Sequence, residues 1–123
     1  MENFHVDEDI KKAETLPAKF YRSDEVFKLL KERVFKKSYQ WFGSIDDLLP
    51  QESYVKPLLF VEGFLEEPFF LRKDAAGLTC FSNVCTHRGN LIFHHECVSK
   101  RIVCGYHGRT WKTDGEFKSM PEF

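Results

Sequence analysis

Hydrophobic positions in the first third of the chain recur with helical spacing. Over residues 23–37, apolar side chains follow one another three or four positions apart, as in Val26, Leu30 and Val34. This is the period of an α-helix with one apolar face. Ser23 is a favoured N-cap residue, acidic residues follow it and lysines end the segment, all of which suits the helix dipole. The pattern predicts one α-helix over residues 23–37, after a polar N-terminal arm.

Beyond residue 43 the pattern changes to short runs of aromatic and branched residues. Such runs predict β-strands, here over residues 54–61, 69–72, 78–84, 101–103, 110–112 and 116–118. Asp74-Ala75-Ala76-Gly77 and Thr113-Asp114-Gly115 lie between consecutive runs and predict hairpin turns. The fold predicted is therefore mainly β, an antiparallel β-sandwich, with the N-terminal arm and helix as residues 1–37 and the sandwich as residues 38–123.

Charge and hydropathy exclude several classes of partner. The chain has 18 basic and 19 acidic residues and a net charge of −1, without the basic stripe that nucleic-acid binding requires. The first fifteen residues are acidic and polar, unlike a secretory signal. No apolar stretch approaches the ~20 residues of a membrane helix. We expect a cytoplasmic protein that binds neither nucleic acid nor membrane.

Four cysteines are present, Cys80, Cys85, Cys97 and Cys104. In a reducing compartment we expect no disulfide among them. For Cys80 and Cys97 we expect buried thiols that pack as small apolar side chains. Of the histidines outside the motif described next, His94 and His95 are expected in a surface loop.

Two short segments carry the chemistry of the chain. Cys85-Thr86-His87 and Cys104-Gly105-Tyr106-His107 are separated by sixteen residues, 88–103, and each supplies one thiolate and one imidazole. This is the ligand set of a Rieske [2Fe–2S] centre, in which two His replace two Cys on one iron. Two Cys and two His also form a common structural zinc site, although a Cys-x-His segment is awkward for one tetrahedral ion. Zinc therefore stays open as an alternative.

Charge explains why such a cluster differs from a four-cysteine cluster. With only two thiolates it is neutral when oxidised, so an added electron costs less and the potential rises toward the Rieske range of about −150 to +300 mV. Three glycines, Gly89, Gly105 and Gly108, lie in or beside the two segments. Glycines permit positive φ and let backbone N–H groups approach the sulfur atoms closely. Beyond ligand type, the two segments are expected to be dissimilar.

The longer motifs resemble a known family. Cys85-Thr86-His87-Arg88-Gly89 and Cys104-Gly105-Tyr106-His107-Gly108-Arg109-Thr110-Trp111 are similar to the Rieske motif of ring-hydroxylating oxygenase α subunits, and Leu16-Pro17-Ala18-Lys19-Phe20-Tyr21 resembles the region before it. The resemblance implies a [2Fe–2S] cluster held by Cys85, His87, Cys104 and His107. It also implies that a reductase or ferredoxin delivers electrons, which pass to a mononuclear non-haem iron that hydroxylates a small organic substrate.

In that family the mononuclear iron lies in a C-terminal oxygenase domain, often of the neighbouring subunit of a trimer. The sequence ends at Phe123, so we expect the catalytic domain to be absent and the chain alone not to be catalytic. A free-standing Rieske ferredoxin is the second hypothesis, although a carrier has no use for the segment 16–42. A zinc-stabilised interaction module is the third.

Two positions depart from the pattern of the family, which usually has Pro at position 105 and Trp at position 109. Gly105 should loosen the second segment, and Arg109 places a cation near the cluster. High-potential relatives carry an extra pair of cysteines, at the positions of Asn90 and Tyr106 here. Without that disulfide, the resemblance implies a low-potential centre, in the lower half of the range of about −150 to +300 mV.

Overall fold

The computed structural model of the chain describes residues 3–60 and 64–121. Backbone contacts divide the chain into two compact units, Met1–Gln40 and Trp41–Phe123. Of the predicted strand 54–61, the final residue, Val61, lies outside the described residues. Within the part of the chain that is described, no helix combines the length and the apolar character needed to cross a bilayer.

The first unit contains more helical structure than the single helix predicted. Helix α1 covers Ala18–Arg22, helix α2 covers Asp24–Arg33, and a 3₁₀ turn covers Phe35–Lys37. The predicted N-cap is confirmed, because the Ser23 hydroxyl accepts a hydrogen bond from the N–H of Val26 at 3.2 Å.

The predicted span of 23–37 was too long for one α-helix. The N–H of Val34 still bonds to the carbonyl of Leu30, but the N–H of Lys37 bonds to Val34, only three residues back. The last turn therefore tightens to 3₁₀ geometry. Helix α1 begins directly after Pro17, whose fixed φ suits the start of a helix.

The second unit is an antiparallel β structure, which confirms the predicted fold class. Helix α3 (Ile45–Leu48) follows its N-cap Ser44, whose hydroxyl accepts a hydrogen bond from the N–H of Asp47. The strands are β1 (Tyr54–Phe60), β2 (Glu67–Asp74), β3 (Gly77–Ser82), β4 (Cys97–Val98), β5 (Ile102–Val103), β6 (Thr110–Trp111) and β7 (Phe117–Ser119). They form a four-stranded sheet in the order β3-β2-β1-β4 and a three-stranded sheet in the order β5-β6-β7.

The predicted hairpins are both present. Asp74 pairs with Gly77 at the end of β2 and β3, which leaves Ala75-Ala76 as the turn. Strands β6 and β7 pair around the turn that contains Gly115. Strand β4 was not predicted, because two residues carry no periodicity of their own and pair with β1 only through long-range contact.

The core lies between the two sheets. Val55, Phe70 and Ile102 are almost fully buried, with Trp111 and Cys97 among the partly buried residues packed against them. This placement ties both sheets to one apolar centre, as a sandwich requires.

The predicted burial of Cys80 was wrong. The next residue along β3, Phe81, packs against the core, and successive side chains of a strand point to opposite faces. Cys80 therefore lies on the outer face of the sheet, where it is exposed. Burial of its sulfur by neighbouring atoms nevertheless raises the pKa of the Cys80 thiol, so exposure does not make it a reactive thiolate.

Candidate metal centre

Two loops at one end of the sandwich carry the predicted ligands. In the first loop, residues 85–90, the N–H of Cys85 bonds to the carbonyl of Asn90 at 2.8 Å and the N–H of Gly89 to the carbonyl of Cys85 at 3.0 Å. In the second loop, residues 104–109, the N–H of Cys104 bonds to Arg109 at 2.8 Å and that of Gly108 to Cys104 at 3.0 Å. The two backbones thus share one hydrogen-bond pattern, contrary to the expectation that the loops are alike only in ligand type.

Glycine stands at the same place in both loops. Gly89 has φ of 70° and Gly108 has φ of 71°, a left-handed conformation that favours glycine over any residue with a side chain. These two positions therefore use the positive φ that glycine permits. Gly105 does not, since it is not among the residues with positive φ.

A buried amide side chain closes the base of the first loop. Asn83 is 2% exposed; its Nδ2 donates to the carbonyl of Phe93 at 2.8 Å, and its Oδ1 accepts from the N–H of Phe93 at 2.9 Å. Val84 and Leu91 form a β-bridge directly above it. Both polar atoms of the Asn83 amide therefore have hydrogen-bond partners, and they fix the backbone of Phe93 beside the start of the first loop.

Paired strands close the base of the second loop. Val103 lies opposite Thr110, and Ile102 lies opposite Trp111. Ile102 is part of the core, so the strands that precede and follow the loop are held by packing. The Thr110 hydroxyl donates to the carbonyl of Gly108 at 3.0 Å.

The four predicted ligands come together as two pairs of like residues. Cys85 and Cys104 are 3% and 1% exposed, and the Cys85 side chain is among the groups that lower the pKa of the Cys104 thiol. The rings of His87 and His107 lie 4.8 Å apart between centroids, at 74°. Within residues 3–60 and 64–121, no three His, Cys, Asp or Glu side chains meet at one point suited to a single ion.

The surroundings of Cys104 favour its thiolate form. Burial raises the pKa of the Cys104 thiol. Hydrogen bonds to its sulfur lower the pKa by more than burial raises it, so the net pKa is below the ordinary value. The groups that lower it are the backbone N–H of Tyr106, the Cys85 side chain, the Asn90 amide and the backbone N–H of His107. Donors to sulfur stabilise the charged form, which is the form that binds metal.

Asn90 makes a contact between the two loops that the sequence did not predict. Its backbone carbonyl closes the first loop, while its Nδ2 lies 3.7 Å from Sγ of Cys104 in the second loop. This hydrogen bond links the two loops. The signal in the sequence was an amide residue directly after Gly89, at the end of the first motif.

The surroundings of His87 favour its neutral form. Burial lowers the pKa of His87, and the nearby charges of His107, Arg88 and Arg109 lower it further. Neutral imidazole has a free ring nitrogen that can bind a metal. His87 and His107 are both half-buried, and the Tyr106 ring lies 3.8 Å from that of His107.

This donor set suits two metal ions better than one. Two sulfur donors lie together in a buried position supplied with N–H groups, and two imidazoles lie together beside them. A Rieske [2Fe–2S] cluster asks for this division, with both Cys on one iron and both His on the other. A single tetrahedral zinc ion asks instead for all four donors around one point.

The remaining histidines are not part of the two loops. His5, His94 and His95 are exposed, as expected for His94 and His95, whose rings are 6.5 Å apart. Arg88, which follows His87, is also exposed, so its charge is available to solvent or to a partner.

Comparison with known proteins gives one family. Residues 48–123 match the model of the Rieske [2Fe-2S] domain. Over 115 residues the chain is 31% identical to the carnitine monooxygenase oxygenase subunit of Acinetobacter baumannii. The aligned region covers 93% of this chain and 29% of that protein. Over 100 residues it is 32% identical to the large oxygenase component of the naphthalene 1,2-dioxygenase system of Pseudomonas aeruginosa, covering 80% of this chain and 21% of the relative.

Solved structures give the same result. A quaternary ammonium Rieske monooxygenase, described in terms of carnitine oxidation and inter-subunit electron transfer, matches with a TM-score of 0.73 and 29% identity, over 89% of this chain and 29% of that one. The chain therefore spans less than a third of the length of the relatives that it matches.

Proposed function

Because the chain belongs to the Rieske [2Fe-2S] domain family, we propose that it is the electron-transfer domain of a Rieske oxygenase and that Cys85, His87, Cys104 and His107 are the four ligands of its cluster. The observation that carries this proposal is the arrangement of the ligands as two like pairs on two loops with the same backbone hydrogen bonds. When bound, the cluster supplies one-electron transfer between a redox partner and a mononuclear non-haem iron.

The side chains have distinct tasks in this proposal. Cys85 and Cys104 would hold one iron as buried thiolates, and the N–H groups around Cys104 would stabilise the negative charge on sulfur. His87 and His107 would hold the other iron through ring nitrogens, and they are less buried than the cysteines. Asn90 holds the loops in register by contacting sulfur across the gap.

The wider assembly follows from the relatives, which are components of oxygenase systems. We propose a reductase or ferredoxin as electron donor, a C-terminal oxygenase domain as acceptor, and a homotrimer in which the acceptor iron belongs to the neighbouring subunit. The division into a helical segment, residues 1–37, and a cluster domain, residues 38–123, belongs to the same proposal, as does a cytoplasmic location.

The test is metal analysis with electron paramagnetic resonance. We expect two irons and two labile sulfides per chain after anaerobic purification, and a Rieske-type signal after reduction with dithionite. The midpoint should lie in the lower half of the range of about −150 to +300 mV. One zinc per chain, with no iron or sulfide, would contradict the proposal.

The variant H107C tests the ligand assignment. A third thiolate makes the cluster more negative, so H107C should keep a cluster but titrate at a lower potential than the wild type. H95C, which alters an exposed histidine outside the loops, is the matched control and should leave the midpoint unchanged. An unchanged midpoint in H107C would show that His107 is not a ligand.

A further inference from the structure

The side chain of Arg109 is partly buried and lies against two aromatic rings. The guanidinium carbon lies 4.6 Å from the centre of the Phe117 ring and 5.8 Å from that of Trp111. Its Nε atom is buried without a hydrogen-bond partner. Rings of this kind attract a cation and shield it from water.

The position of Arg109 ties its charge to the second loop. Its backbone carbonyl accepts the N–H of Cys104, and it follows His107 by two residues. Among the described residues, no carboxylate forms an ion pair with its guanidinium. This backbone hydrogen bond places Arg109 beside Cys104, within the second loop.

We propose that the positive charge of Arg109 raises the reduction potential of the cluster by stabilising the reduced form. This inference rests on the proposed function, because it requires a cluster between the loops. The reduced cluster carries one more negative charge than the oxidised one, and a nearby fixed cation therefore favours reduction. Arginine keeps its proton at every relevant pH, so this contribution is constant.

The first loop offers an internal comparison, because Arg88 carries the same charge next to the candidate ligand His87. Arg88 is exposed, so water and salt screen it. Arg109 is partly buried and contacts two aromatic rings, so screening of its charge is weaker. The two arginines should therefore differ in how strongly removal of the charge changes the potential and in how that change responds to salt.

The experiment is a redox titration of the cluster-loaded chain at one pH, for the wild type, R109M, R109K and R88M. For R109M we expect the ratio of reduced to oxidised cluster at a fixed potential to fall about tenfold, which is about 59 mV for a one-electron couple. R109K, which keeps the charge, should stay close to the wild type. R88M should shift less, and its shift should disappear at high salt while that of R109M remains.

Iron content and the shape of the paramagnetic resonance signal show whether each variant keeps an intact cluster. In variants that do, a shift in the midpoint reports the change in charge and not a loss of packing. If R109M and R109K shift equally, or neither shifts, the proposal for Arg109 is overturned, whereas a wild-type cluster with normal iron and sulfide leaves the proposed function intact. Should R109M not retain its cluster, R109Q replaces it as the neutral variant in the comparison with R109K. A wild type without a Rieske signal would overturn both.

Discussion

In the first loop, residues 85–90, a buried amide fixes the base; in the second, residues 104–109, paired strands do so. Both loops nevertheless close with the same two backbone hydrogen bonds and with glycine at a φ of 70° or 71°. The histidine stands two positions after cysteine in the first loop and three positions after it in the second. One backbone turn therefore serves two different ligand spacings.

The different cysteine–histidine spacings show that the shared turn constrains the cysteines more than the histidines. The cysteines begin both turns and are the most tightly buried part of the site, at 3% and 1% exposed. The histidines lie in the middle of the turns and are half-buried, with rings at 74° to one another. The backbone fixes the sulfur positions, whereas the histidine side chains have room to adapt to the difference in spacing.

The largest expected effect tests whether the two cysteines are equivalent. C85S and C104S should each lose most of the bound iron and sulfide, because each removes a thiolate that binds iron. C80S, which changes the exposed cysteine on β3, should keep full iron content and is the control. Iron bound per chain, measured after anaerobic purification, checks this. Full loading of either C85S or C104S would show that the loops do not share one cluster.

The next effect tests the different anchors of the loops. N83A leaves the N–H and carbonyl of Phe93 buried without partners, at a cost of about 2 to 4 kcal/mol in the free energy of unfolding. T110V removes a single hydroxyl bond in the second loop and should cost about 1 kcal/mol. Anaerobic urea unfolding of the loaded chain, followed by circular dichroism, measures both. Equal losses would mean that strand pairing holds both loops.

A smaller effect separates the two glycines. G89A forces a side chain into left-handed backbone at a cost of about 1 kcal/mol, with no atom within 4 Å of the new Cβ. G108A adds a clash, since its Cβ would lie 3.0 Å from Cγ of Pro121, and should be less stable than G89A. G105A has neither constraint and should be close to neutral. The same unfolding measurement ranks the three; G105A falling below G89A would contradict the backbone assignment.

The four candidate ligands could be identified from the sequence because residue type alone restricts them. Cysteine and histidine at short spacing limit the chemistry to a few metals, and the strands around them follow from aromatic and branched runs. The shared turn of the loops could not be predicted, since Cys85-Thr86-His87 and Cys104-Gly105-Tyr106-His107 align at no position except the cysteine. It depends on hydrogen bonds that only the folded backbone displays.

Some of the remaining differences had a signal in the sequence that was not used. Side chains alternate along β3, so Cys80 lies on the face of the sheet away from Phe81. Applying this alternation to the predicted strand would have predicted an exposed thiol. The Ser44-Ile45-Asp46-Asp47 pattern is a capping sequence that indicates helix α3. Strand β4 had no such signal, because its pairing with Val55 is a consequence of the sandwich as a whole.

The central claim is that the two loops enclose two irons, one held by sulfur and one by nitrogen. Crystals of the anaerobically purified chain, measured at the iron absorption edge, test it most directly. The account predicts two separate anomalous peaks, one beside Cys85 and Cys104 and one beside His87 and His107. A single peak at the centre of the four side chains, or a peak only at the zinc edge, would contradict it.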